Sequence, residues 1–297
     1  MISNPKNTNI PELTLVLVSA LWGSSFILLS IALESISPAL LVGLRFGLGA
    51  FLVAMILRSK LFRLKRTDWI AGFWTGLFIF LGYFLQTIGL QWISSSISAF
   101  LTALYVPFVP LLQLLLFRKI PNKITTIGIA VAFCGMLLII NPFNMTLDGN
   151  LGEYLTVISA LACALEIIVI SHFATRCEPM VFCFTQLVVV AILSLTYCFF
   201  IETIRFTPTP SLFISLGILV GMIAFNQYAI SWAQRFVSPV RAVLIYTLEP
   251  VFAGIIGYFF GEKISFLAFC GCILVISSVL LSSWLPKYLS EKKPSGN

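Results

Sequence analysis

Charge is the scarcest property of this sequence. Only 10% of the 297 residues are Asp, Glu, Lys or Arg, whereas a soluble domain carries about a quarter. Because 59% of the residues are hydrophobic, this composition excludes a soluble globular protein and indicates an integral membrane protein. One span needs about 20 mostly apolar residues, so the chain can hold about ten spans and has no room for a soluble domain.

Residues that usually carry catalysis or bind metals are also few. The chain has one histidine, His172, and an odd number of cysteines, seven, without a C-x-x-C pair, so neither a disulfide framework nor a metal site is indicated. It has no glycine-rich phosphate loop ending in Gly-Lys-Ser/Thr, which ATP-driven proteins use. We therefore expect a protein that is not an enzyme and needs no cofactor, and whose work is driven by a gradient.

Apolar runs predict ten spans. They lie near residues 12–33, 37–57, 69–91, 94–117, 123–141, 152–173, 179–201, 211–233, 238–260 and 264–285. Prolines stand at the start of several runs, where a missing backbone donor costs a helix least. These prolines are Pro11, Pro38, Pro179 and Pro239.

Basic residues predict the orientation. With the N-terminus placed in the cytoplasm, 14 of the 18 Lys and Arg residues lie on the cytoplasmic side. Arg205 and Lys263 lie on the other side, and Arg45 and Arg241 lie inside spans. The positive-inside rule then places both termini in the cytoplasm of a multi-pass protein of the cell (inner) membrane. The net charge of +7 is explained by topology, so we expect no nucleic-acid partner.

The chain also matches itself. A shift of 143 residues brings Leu101 onto Leu244 and Pro107 onto Pro250, and a shift of 140 brings 19–21 onto 159–161. Each half then holds five spans, and an odd number forces the halves into opposite orientations. The predicted fold is an all-α integral membrane protein with ten transmembrane helices arranged as two inverted five-helix repeats.

This fold divides the chain into five segments. They are a cytoplasmic N-terminus (1–11), a first repeat (12–141), an external linker (142–151), a second repeat (152–285) and a cytoplasmic tail (286–297).

Prolines near the middle of the fourth and ninth spans predict a bend or local unwinding there. The fourth span carries Pro107 and Pro110, and the ninth carries Pro250 directly after Glu249. Freed carbonyls at corresponding depths of two repeats point to a central binding site.

Three stretches resemble the EamA-type carriers of the drug/metabolite transporter superfamily. They are LVSALWGSSFILLSIAL, GLQWISSSISAFLTALYVPF and YTLEPVFAGIIGYFFGEKI. The resemblance implies ten helices in two inverted repeats around a central cavity, and the movement of metabolites such as amino acids, often outward. The first repeat ends in Phe117-Arg118-Lys119, where members of the family commonly have Gly-Glu.

Charged residues inside spans are candidates for the site, because burying charge in a membrane is costly unless it has a partner or a function. Similar estimated depths predict two pairs, Arg45 with Glu249 and Glu166 with Arg241. Arg241 could instead reach the membrane surface, and Glu249 could serve only to cap freed backbone groups around Pro250.

Polar and aromatic residues on the same spans complete the predicted substrate site. The candidates are Trp22, Arg45, Tyr83, Gln86, Tyr105, Glu166, Asn226, Gln227, Tyr246 and Glu249. Asn and Gln in membrane helices more often join helices than bind ligands, and both interpretations stay open here.

We expect a secondary active transporter that moves a small metabolite, an amino acid or a similar amphipathic solute, by alternating access. Its partners would be this solute, the lipid bilayer and protons as a coupling ion, and the protein would be a monomer or a weak homodimer. Export is the expected direction. Uptake or exchange of a nutrient is the alternative within transport, and a membrane-embedded enzyme has less support.

Overall fold

The structure is a computed structural model that describes residues 9–89, 92–93, 95–118, 120–141, 147–259 and 265–283. These residues form twelve α-helices and a short 3-10 helix, Arg58–Arg63. The α-helices are α1 (Ile10–Leu33), α2 (Pro38–Leu57), α3 (Arg66–Gly89), α4 (Ser95–Thr102), α5 (Tyr105–Phe117), α6 (Lys123–Ile140), α7 (Leu151–Ala174), α8 (Pro179–Phe200), α9 (Pro210–Ala233), α10 (Pro239–Tyr246), α11 (Glu249–Phe259) and α12 (Phe266–Ser283). The predicted tail 286–297, most of segment 1–11 and half of linker 142–151 lie outside the described residues.

The helices confirm an all-α membrane protein. The described residues form nine apolar helices long enough to cross a membrane, if α4 with α5 and α10 with α11 are each counted as one broken span. The tenth span is α12, whose apolar stretch is slightly shorter within those residues.

Helix bounds reveal the internal repeat directly. Helices α1 and α2 recur as α7 and α8 with an offset of 141 residues at their starts, and α3, α4 and α5 recur as α9, α10 and α11 with an offset of 144. Helix α6 recurs as α12 with an offset of 143. For the first five pairs the offset is one residue larger than identical letters indicated, so Pro250 is equivalent to Val106 and not to Pro107.

Helix packing follows the same two-fold relation. Helix α2 packs against its own equivalent α8, and α6 packs against α12. The packing of α3 on α7 recurs as α9 on α1, and that of α5 on α7 recurs as α11 on α1. Because each repeat contains five spans, this two-fold axis lies in the membrane plane and the repeats are inverted.

Both proline-containing spans are broken in the middle, as predicted. The breaks lie at 103–104, between α4 and α5, and at 247–248, between α10 and α11. Proline has no N–H, so Pro107 and Pro250 cannot donate to the carbonyl four residues earlier. The carbonyl of Ala103 accepts instead from the N–H of Val106 at 3.1 Å.

The two repeats differ in how tightly their short helices are enclosed. We call the membrane side on which α1 begins the N-side, and the opposite side the far side. On the N-side, seven of the eight residues of α10 are buried, and α10 packs against α1, α5, α6, α7 and α12. On the far side, the equivalent α4 packs against α3, α6 and α7, and its Ala99 is exposed. The described part of the protein is therefore closed on the N-side and looser on the far side.

Close packing of α6 on α12 gives a test of the fold. A methyl group on Gly271 would lie 2.5 Å from the carbonyl oxygen of Gly135. We expect Gly271→Ala to lower the free energy of unfolding by about 1–3 kcal/mol, because the two backbones must separate. Thermal unfolding of the full chain in detergent measures the loss.

Gly217→Ala is the matched control, because a methyl group there would meet nothing within 4 Å. Its melting temperature should equal or exceed that of the unchanged protein. Equal melting temperatures for Gly271→Ala and Gly217→Ala would contradict this packing.

Candidate functional site at the two helix breaks

Two helices begin at the breaks, inside the protein. Helix α5 starts at Tyr105 and α11 starts at Glu249, and these two residues are equivalent positions of the repeat. The positive end of a helix dipole favours a negative charge, so Glu249 stands in the first turn of α11 where an acid is stabilised. Half-helix ends of this kind bind charged solutes in membrane carriers.

The second break is in direct contact with α1. A methyl group on Gly23 would lie 2.8 Å from the carbonyl oxygen of Glu249 and 2.8 Å from the amide nitrogen of Ala253. Only glycine allows this approach without displacing a backbone. The sequence therefore brings the middle of the first span against the start of α11.

Aromatic hydroxyl groups link the two intramembrane acids. Tyr83 interacts electrostatically with both Glu166 and Glu249. Tyr105 interacts with Glu249 and with Tyr246, and Tyr246 interacts with Glu166. These five predicted residues come from α3, α5, α7, α10 and α11, so the structure brings them together from both repeats.

Arg45 joins this cluster through aromatic rings. Its side chain is 3% exposed, and its guanidinium carbon lies 5.7 Å from the centre of the Tyr83 ring and 5.6 Å from that of Phe46. A guanidinium over an aromatic face is attracted by the ring's negative face. The Nε atom of Arg45 has no hydrogen-bond partner among the described residues, so the cation is buried with spare donor capacity.

Both predicted ion pairs are wrong in this structure. Among the described residues the ion pairs are Lys60–Glu178 at 2.6 Å and Arg241–Glu12 at 3.8 Å. Arg241 lies near the N-side end of α10, where Glu12 at the start of α1 meets it, and Glu166 lies deeper. Arg45 and Glu249 share Tyr83 as a neighbour and make no direct ion pair.

Trp22 and Tyr246 form the aromatic wall beside these charges. Their ring centres are 5.0 Å apart, and the Tyr246 hydroxyl accepts a hydrogen bond from Nε2 of Gln234 at 3.0 Å. The indole Nε1 of Trp22 is buried without a partner among the described residues. Gln234 was missed as a site residue, although it holds the ring of Tyr246 in place.

The three predicted amides have different surroundings. Gln86 donates from Nε2 to the hydroxyl of Thr102 at 2.8 Å, which ties α3 to α4. Asn226 and Gln227 are 1% and 0% exposed. Oδ1 of Asn226 and both side-chain polar atoms of Gln227 lack partners among the described residues, an arrangement that costs free energy unless a ligand, water or another conformation satisfies them.

Most predicted residues occupy equivalent positions of the two repeats. By the helix offsets the equivalent pairs are Trp22 and Cys163, Ser25 and Glu166, Arg45 and Gln186, Tyr83 and Gln227, Thr102 and Tyr246, and Tyr105 and Glu249. Cys163 and Gln186 were missed. Cys163 interacts electrostatically with Glu166 and Glu249, and its place opposite Trp22 in the repeat is the signal that could have found it.

One further property of the site concerns metals. The described residues contain no group of three or more His, Cys, Asp or Glu side chains that could hold an ion.

Known proteins resemble this chain over nearly its whole length. A transporter of the archaeon Archaeoglobus fulgidus, named as uncharacterized, is 29% identical over 274 residues, which cover 92% of this chain and 85% of that protein. The inner membrane transporter YedA of Escherichia coli K12, also named as uncharacterized, is 27% identical over 282 residues, or 92% of this chain and 90% of YedA. A crystal structure with 18% identity has a TM-score of 0.76 and covers 95% of this chain and 98% of its own. At this identity it shows the fold alone.

The profile of the EamA-like transporter family matches residues 9–141 and 150–284, one match for each repeat. Together with the ten spans and the two equivalent breaks, this match shows that the chain is a multi-pass membrane transporter that belongs to the EamA-like transporter family.

Proposed function

We propose that this transporter carries a small amphipathic metabolite with the chemistry of an amino acid, and that it binds this solute between the two helix breaks. The observation that carries the proposal is the meeting of one guanidinium, two carboxyl groups and four aromatic rings at the breaks. The guanidinium belongs to Arg45, the acids are Glu166 and Glu249, and the rings are those of Trp22, Tyr83, Tyr105 and Tyr246.

Each part of the site matches one part of such a solute. The unpartnered Nε of Arg45 can donate to a carboxylate, which arginine recognises by charge-assisted hydrogen bonds. A carboxylate of Glu166 or Glu249 can accept from an amine. Aromatic rings cover an apolar side chain and attract a cation on their faces. An amino acid or a similar solute has all three features.

Alternating access is supported by the unequal ends of the molecule. The N-side is closed by α10, while α4 leaves the far side looser. Because the repeats have the same helices in inverted order, exchanging their roles would close the far side and open the N-side. We place the N-side and both termini in the cytoplasm of the cell membrane by the distribution of basic residues, so the structure corresponds to an outward-facing conformation.

Export coupled to protons is the direction we propose, on the resemblance to metabolite exporters and on the two titratable acids in the site. A proton that binds Glu249 or Glu166 from outside would displace the amine of the solute. Uptake is the second candidate, because a site that faces the far side could also load solute there. Fluxes in both directions, with and without a pH gradient, distinguish the two.

Glu249→Gln tests the role of the acid. It keeps the shape of the side chain but removes the charge, and a charge-assisted contact contributes about 1.5–3 kcal/mol. We expect flux of labelled amino acids in proteoliposomes to fall by about 10- to 100-fold and to lose its dependence on the pH gradient.

Glu34→Gln is the control, because Glu34 is exposed just after α1. It should transport like the unchanged protein. If Glu249→Gln folds and carries the same solutes at the same rates, Glu249 is removed from the mechanism.

The Arg241–Glu12 ion pair at 3.8 Å joins the two repeats on the N-side and provides a test of alternating access. Cysteines at both positions, in a background without the seven native cysteines, can be joined by a short bis-maleimide. The link should hold the N-side closed and stop transport, because the conformations cannot exchange.

Glu12→Cys and Arg241→Cys singly, treated with the same reagent, should retain transport. Full transport by the linked double variant would rule out opening between α1 and α10.

A further inference from the structure

A cleft on the outside of the helix bundle is separate from the transport site. It has a volume of about 500 Å³ and is lined by the far-side ends of α2, α3 and α8 and by the segment after α8. None of its lining residues belongs to α4, α5, α10 or α11, the helices that form the breaks. Its volume is in the range of small-molecule sites.

Most of the cleft wall is apolar and aromatic. The ring of Phe84 lies 4.3 Å from that of Tyr197 and 4.9 Å from that of Phe80, measured between ring centres. Val42 and Ile88 continue this wall. The surface therefore suits a hydrocarbon chain.

Two buried hydroxyl groups interrupt the apolar wall. Ser37 is 4% exposed and Ser194 is 1% exposed. Their Oγ atoms have no hydrogen-bond partner among the described residues. A buried hydroxyl without a partner costs free energy, so a ligand in this cleft that accepts a hydrogen bond would be stabilised.

The charges in the lining differ in what they can still bind. The carboxylate of Glu202 accepts from the backbone N–H groups of Ala39 at 2.9 Å and Leu40 at 3.3 Å, so the start of α2 balances its charge. Arg205 donates one hydrogen bond, to the carbonyl of Leu33. A guanidinium has five N–H donors, so Arg205 can also bind an anion.

The same cleft recurs on the N-side. A smaller cavity of about 190 Å³ is lined by Ile56, Pro179, Met180 and Tyr228, among others. By the helix offsets these residues are equivalent to Tyr197, Pro38, Ala39 and Phe84 of the larger cleft. Lys60 and Glu178, which also line the smaller cavity, form an ion pair at 2.6 Å. The recurrence shows that the inverted architecture forms a cleft at each end of the α2–α8 pair.

We propose that the far-side cleft is a binding site for an anionic phospholipid of the surrounding bilayer. One acyl chain lies along Phe80, Phe84 and Val42, and the phosphate binds Arg205. Arginine pairs with phosphate through two parallel hydrogen bonds, and the far-side helix ends are at the level of lipid headgroups. A lipid fits better than the transported solute because the cleft lies apart from the helix breaks.

Photolabelling of the full chain in nanodiscs tests this site. The probe is phosphatidylglycerol with a diazirine in one acyl chain, and labelled peptides are mapped by mass spectrometry. We expect labels on the cleft segments around Val42, Phe84 and Ser194. Val42→Trp should remove these labels by filling the cleft. Ile192→Trp, on a face of α8 where Ile192 is 58% exposed, should leave them in place.

Arg205→Gln tests headgroup recognition independently of the folding of Val42→Trp. It should lower labelling by the phosphatidylglycerol probe by about tenfold and leave labelling by a phosphatidylcholine probe unchanged. Equal labelling of the cleft and of other lipid-facing helices would overturn the proposal. So would cleft labels that persist in Val42→Trp, or a photoreactive amino acid that labels the cleft in place of the lipid.

Discussion

Backbone hydrogen bonding in lipid is the constraint on which this structure depends. A carbonyl without a partner is costly in a bilayer, so a broken helix is tolerated only where protein or a water-filled cavity surrounds it. The breaks at 103–104 and 247–248 therefore have to lie inside the bundle. Helix α1 packs on α10 and α11, and α7 packs on α4 and α5, so each repeat encloses the break of the other. The same enclosure brings Glu249, Tyr105 and Trp22 into one site.

The two repeats share a framework but not their side chains. Arg45 has Gln186 as its equivalent, and Tyr83 has Gln227. The buried amides of Gln227 have no partners here, while Tyr83 interacts with both acids. This inequality lets a symmetric architecture bind an asymmetric solute. It also accompanies the unequal closure of the ends, since α10 is enclosed while Ala99 in α4 is exposed.

Composition, basic residues and prolines were sufficient to predict the spans and the breaks, because hydrophobic length and missing backbone donors act locally. Contacts inside the site were harder to predict. Depth along a helix places Arg45 and Glu249 at one level, but it does not say which way each side chain turns, and Arg45 turns to the rings of Tyr83 and Phe46. Arg241 pairs with Glu12, a residue at the edge of the first span. Gln234 and Cys163 became site residues only once tertiary packing placed them.

Distances measured on both sides of the membrane in one preparation test the central claim most directly. Spin labels at Glu34 and Trp92 report the far side, and labels at the equivalent positions Thr175 and Phe236 report the N-side; all four residues are exposed. Double electron–electron resonance in nanodiscs, with and without transported amino acid and at two pH values, should show one distance shortening while the other lengthens. Distances that change together, or that stay constant while transport proceeds, would contradict a mechanism in which the repeats exchange conformations around the two breaks.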